Sequence, residues 1–132
     1  MRRIEWMAVG WGGLAAAIGL LATAGSGEAA RLIAVAAAFP IGGFLAGVRA
    51  PDLRAVHAAL AAVVGYLFHA VFVMFATLAD MLGGPGSPGF LPGSNTTWWL
   101  TALVGVALAV IGGVVASTWL RPQGRDQRRR AA

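Results

Sequence analysis

The longest apolar run of the chain, residues 54–82, limits the possible folds more than any other feature. Residues 55–79 contain no Asp, Glu, Lys or Arg and only two His, at positions 57 and 69. A helix rises about 1.5 Å per residue, so this run is longer than the roughly 30 Å hydrocarbon core of a bilayer. The run therefore predicts a tilted helix that spans a membrane.

The composition extends this prediction to the whole chain. Only 11% of the 132 residues are charged and 58% are hydrophobic, whereas a soluble domain carries about 25% charged residues. The chain has no Cys, which excludes disulfides, thiolate catalysis and Cys-based metal sites. Since the sequence also lacks a phosphate-binding loop, a cluster of metal ligands and a catalytic triad, we predict no enzymatic activity and no cofactor.

The fold predicted is an all-α bundle of four transmembrane helices, with spans at about 6–24, 30–48, 55–80 and 98–120. These spans form one domain, residues 1–120, which an Arg-rich tail, residues 121–132, follows. The first run has the basic start of a signal peptide but exceeds the usual apolar region of 7–15 residues. We therefore expect it to remain as an uncleaved helix.

The distribution of Arg orients this bundle. With the N-terminus in the cytoplasm, nine of the ten basic residues lie on the cytoplasmic side, and only Arg31 lies outside. This asymmetry follows the positive-inside rule. All ten are Arg and the chain is rich in Ala and Gly, as expected of a GC-rich bacterium. The prediction is a multi-pass protein of the bacterial cytoplasmic membrane with both termini inside.

The basic tail predicts an interaction with lipid. Its residues lie close to the last span, where each Arg contributes about 1 kcal/mol of attraction to an anionic surface; they are Arg121, Arg125, Arg128, Arg129 and Arg130. The partners predicted are thus the bilayer and its anionic headgroups. The basic residues form no face interleaved with aromatic side chains, so nucleic acid is not a predicted partner.

Small residues at four-residue spacing indicate how the helices pack. The glycines concerned are Gly43, Gly47, Gly65, Gly105 and Gly113. In lipid, close approach of helix backbones replaces the hydrophobic effect as the basis of packing. We favour packing within one chain, and the alternative is a face that forms a homo-oligomer or joins a larger membrane complex.

Two positions inside the spans are candidate functional residues, His69 and Pro40. His69 lies about 21 Å from Ala55 along the helix, near the membrane midplane, where it is either a proton relay or a structural residue bonded to a neighbouring helix. Pro40 predicts a kink or a local break in the second helix, as in some transporters. His57 is predicted to be a solvated interfacial residue, and Asp80 to cap the outer end of its helix.

A resemblance accompanies these patterns. The segment GGFLAG at residues 42–47, a short basic connection, and HAALA at residues 57–61 leading to Gly65 resemble small four-span bacterial membrane proteins of unknown function. The function predicted is a non-catalytic accessory or interaction subunit. The alternative is a small dimeric proton-coupled transporter that uses His69. Its size is similar to that of the small multidrug exporters, but the buried Glu of their first helix has no counterpart here.

Overall fold

The computed structural model describes residues 4–23, 27–50, 53–82 and 95–119, and it confirms an all-α chain. Its four helices are α1 (Trp6–Ala22), α2 (Glu28–Arg49), α3 (Arg54–Met81) and α4 (Asn95–Trp119). Segments of three of them are long and apolar enough to cross a membrane, and these are Ala29–Arg49, Arg54–Ala79 and Trp99–Trp119. The helix α1 is apolar but shorter, with 17 residues.

The helices form a bundle in which parallel and antiparallel neighbours alternate. Helix α1 packs against α2 and α3, and α4 packs against the same two helices. Helices α2 and α3 also contact each other across the bundle, whereas the described parts of α1 and α4 make no contact. Chain direction makes α1 parallel to α3 and α2 parallel to α4. The sequence Ile-Gly-Gly occurs in both α2, at residues 41–43, and α4, at residues 111–113, and the two segments therefore run in the same direction.

Pairs of adjacent glycines bring three of the helices together. Successive residues of a helix point about 100° apart, so each pair faces two neighbours. In α2, Gly42 contacts the Gly12 carbonyl of α1, whereas Gly43 contacts the backbone of Ala109 in α4. In α4, Gly112 contacts the carbonyl of Pro40. A Cβ at any of these glycines would collide with backbone atoms, so the helices meet at a distance that only glycine permits.

All five glycines predicted from the four-residue spacing lie at contacts between helices of this chain. Gly43 and Gly47 join α2 to α4, Gly65 joins α3 to α1, Gly105 lies against the Tyr66 ring, and Gly113 lies against Ala58 of α3. Equally close contacts involve Gly12, Gly13, Gly42 and Gly112, which were not among the predicted glycines.

The distribution of side-chain size is the reverse of that in a soluble core. The buried positions are mostly alanines, and large apolar side chains are exposed on all four helices. Phe39, which is fully buried, is the main exception. A bilayer solvates exposed Leu, Ile and Phe side chains, so small residues are left to pack the interior.

Candidate functional site: a polar cavity between the four helices

Polar side chains from three helices meet at one small cavity. Arg31 comes from the first turn of α2, Tyr66 and His69 from one face of α3, and Thr101 from α4. Leu20 of α1 and Val35 of α2 complete the lining. The free space is about 10 Å³, which is roughly the volume that one water molecule needs. All four helices therefore contribute to this site.

His69 lies near the ends of the neighbouring helices α1 and α2 and not near their middle. It lies level with Arg31, at the start of α2, and with Leu20, near the end of α1. Helix α3 continues for another 12 residues to Met81, a rise of about 18 Å. His69 is thus three turns inside the end of its own helix, but close to the ends of α1 and α2.

The proximity of Arg31 to His69 was not predicted. Arg31 precedes the end of α2 at Arg49 by 18 residues, and His69 follows the start of α3 at Arg54 by 15 residues. Counting both ways from the short connection between two antiparallel helices would have placed the two residues at similar heights. The positive-inside argument instead treated Arg31 as an isolated residue that reaches the outer interface.

Arg31 gives the cavity a positive charge. Its side chain lines the cavity together with Tyr66 and His69. Among the described side chains the only carboxylate is that of Glu5, at the other end of the bundle.

An aromatic stack lies beside the cavity, on the side that faces the other end of the bundle. The rings of Phe39 and Tyr66 stack with centroids 4.8 Å apart and an interplanar angle of 23°. Phe39 is 0% exposed. The stack thus joins α2 to α3 next to the cavity, which Tyr66 lines.

Pro40 lies beyond this stack and not at the cavity. Helix α2 runs through Pro40 without interruption from Glu28 to Arg49, so the described helix has no local break. The Pro40 carbonyl lies against Gly112 of α4. The structure thus places Pro40 at a helix contact and does not bring it together with His69.

His57 corrects a prediction. It was expected to be solvated, yet it is 1% exposed. Its Nε2 accepts a hydrogen bond of 2.8 Å from the backbone N–H of Glu5, and its Nδ1 lies 3.0 Å from the Leu53 carbonyl. A ring nitrogen that accepts and another that donates define a neutral imidazole with its proton on Nδ1. The prediction was wrong because the start of α1 covers this face of α3.

Two arginines that served to orient the chain also make contacts at the same end of the bundle. Nη1 of Arg54 donates a hydrogen bond of 3.3 Å to the Ala116 carbonyl, near the end of α4. The guanidinium of Arg49 lies 5.5 Å from the centre of the Trp11 ring. With His57, these contacts join α1 to α2, α1 to α3 and α3 to α4.

Other predicted features are not tested by this geometry. The Asp80 side chain and the tail that holds Arg121, Arg125, Arg128, Arg129 and Arg130 lie outside the described residues. Among the described His, Asp and Glu side chains, no group of three is placed to hold a metal ion.

Comparisons of the whole chain with protein families, with curated proteins and with solved structures gave no match. The resemblance to small four-span bacterial membrane proteins therefore stays a prediction that rests on the residues alone.

Proposed function

We propose that the protein is a multi-pass component of the bacterial cytoplasmic membrane that acts as a non-catalytic accessory or interaction subunit. The observation that carries this proposal is the closed, glycine-packed bundle with large apolar side chains on its outer surface. Such a bundle is stable in lipid, and its exposed faces are available to a second copy or to a larger complex. Both termini lie in the cytoplasm in this proposal, as the Arg distribution indicates.

In this proposal α1 is the fourth span. Its 17 residues rise about 25 Å and fall at the lower end of the length range for transmembrane helices. The helix packs against α2 and α3, and seven of its apolar or small residues are buried, namely Ala8, Val9, Gly12, Gly13, Ala16, Ala17 and Leu20. Because α1 packs along two spanning helices, it lies in the same bilayer as they do over its whole length.

Single cysteines test this topology. Because the chain contains no Cys, a thiol reagent that cannot cross membranes reports one position at a time. Leu82→Cys and Gly27→Cys should be labelled in intact cells, since both sites are exposed at the predicted outer side. Ile4→Cys, exposed at the other end, should react only after the membrane is opened.

The labelling separates three outcomes. Labelling of Ile4→Cys in intact cells would overturn the orientation. Protection of Gly27→Cys, with Leu82→Cys still labelled, would show that α1 does not reach the outer side. A protein recovered without detergent from the soluble fraction would contradict membrane insertion itself.

A second candidate function, proton-coupled transport, has one observation in its favour, the convergence of His69, Arg31 and Tyr66 on a polar cavity. The small size of this cavity, about 10 Å³, counts against it, because the cavity has room for about one water molecule and not for a transported substrate. We therefore place transport second.

Proteoliposomes decide between the two functions. Under an imposed pH gradient, the wild-type protein should give no proton flux above that of empty vesicles. A wild-type flux that is abolished equally in His69→Gln, His69→Asn and His69→Leu would instead establish His69 as a proton relay, because neither Gln nor Asn can titrate. The His69→Leu variant should still fold, since one membrane hydrogen bond contributes only about 0.6 kcal/mol on average.

A further inference from the structure

The position of Arg31 along the bundle places a cation below the outer surface of the proposed membrane. Arg31 is level with His69, and α3 remains apolar from there to Ala79, over 10 more residues or about 15 Å. If α3 spans the bilayer, the backbone of Arg31 lies below the outer surface, within reach of the headgroup layer only through its long side chain. A cation at such a depth is costly unless an anion lies beside it.

An apolar groove leads away from this cavity. Side chains of α2 and α4 line it, and they are Leu32, Val35, Ala36, Leu100, Val104 and Leu108. Its volume is about 250 Å³. Val35 and Thr101 line both the groove and the cavity, so the two spaces adjoin. From Thr101 to Leu108 the groove descends about 10 Å along α4, in the direction that an acyl chain of the outer leaflet takes.

We propose that Arg31 and this groove bind one phospholipid, with its phosphate at the Arg31 guanidinium beside the small cavity and an acyl chain between α2 and α4. The inference rests on the proposed membrane insertion. Charge selects the headgroup, because a guanidinium binds phosphate oxygens with two parallel hydrogen bonds. Polar side chains around Arg31 form the wall beside the phosphate, and the groove accommodates only an apolar chain.

The test uses the full-length protein in mild detergent with added phosphatidylglycerol, and measures by soft-ionisation mass spectrometry how much protein retains lipid. Arg31→Gln should weaken retention about fivefold, the equivalent of about 1 kcal/mol for one Arg. Arg49→Gln is the matched control, because it removes the same charge from the opposite end of α2 and should leave retention unchanged. Neither variant alters the Arg-rich tail, so lipid on the tail contributes equally to both.

A second variant tests the groove without removing charge. Ala36 is exposed at the groove wall, so Ala36→Trp fills the groove from outside the core and should lower retention as Arg31→Gln does. Retention of diacylglycerol, which has no phosphate, should be the same in the wild-type protein and in Arg31→Gln. Inorganic phosphate at the same concentration should not displace the phospholipid, because it lacks the acyl chain.

Equal retention by Arg31→Gln and Arg49→Gln would overturn the proposal. That result would assign the lipid to the tail, or show that the charge of Arg31 is already neutralised by Glu28, three residues before it in the sequence. Such a failure differs from failure of the proposed function, because the cysteine labelling pattern would be unchanged.

Discussion

Replacing Gly43 or Gly112 by alanine is expected to destabilise the bundle by about 1–3 kcal/mol, the usual cost of overpacking. At Gly43 the new Cβ would collide with the backbone of Ala109, and at Gly112 with the carbonyl of Pro40. Backbone atoms cannot move aside as a flexible side chain can, so α2 and α4 must separate. Unfolding by SDS added to the protein in mild detergent, followed by circular dichroism, measures the change in the free energy of unfolding.

Gly10→Ala is the matched control, because no atom lies within 4 Å of the new Cβ. Alanine favours a helix over glycine by about 1 kcal/mol, so this variant should be neutral or slightly more stable. Size-exclusion chromatography separates packing within the chain from dimerisation. Variants at Gly43 and Gly112 that keep wild-type stability but lose a dimer would contradict the role assigned to these glycines.

Replacing His57 by leucine is expected to free the start of α1 from α3. The change removes the acceptor of the Glu5 N–H and the side-chain donor to the Leu53 carbonyl, which keeps its bond from the His57 backbone N–H. A buried polar group that loses its partner costs about 1–3 kcal/mol. Amide hydrogen exchange across residues 4–10 should become faster, and the free energy of unfolding in detergent should fall.

His57→Gln separates this hydrogen bonding from the filling of space. The amide oxygen of glutamine can accept from Glu5 and its NH₂ can donate to Leu53, so this variant should recover much of the protection. Equally fast exchange in His57→Gln and His57→Leu would show that the imidazole acts through its shape. Slow exchange in both would show that the two hydrogen bonds contribute nothing.

The sequence by itself determined that the chain is all-α and where its helices lie. Backbone groups in lipid must be satisfied within each segment, so a helix there is a local property that the length of an apolar run reveals. The predicted spans 30–48 and 55–80 agree closely with Glu28–Arg49 and Arg54–Met81. The first helix ends at Ala22, two residues before the predicted end, and the fourth begins at Asn95, three residues before the predicted start.

Only the tertiary structure decided what each helix face meets. Both His57 and His69 stand in the same apolar run, and sequence reasoning singled out His69 because it is central. The structure buries His57 at the junction of α1 and α3 and places His69 beside Arg31. The glycines predicted from four-residue spacing lie on α2, α3 and α4, and they include only Gly43 and Gly113 of the adjacent pairs whose members face different neighbours. A helix forms from its own hydrogen bonds, whereas the environment of a side chain depends on which helix lies opposite, and that partner is distant in sequence.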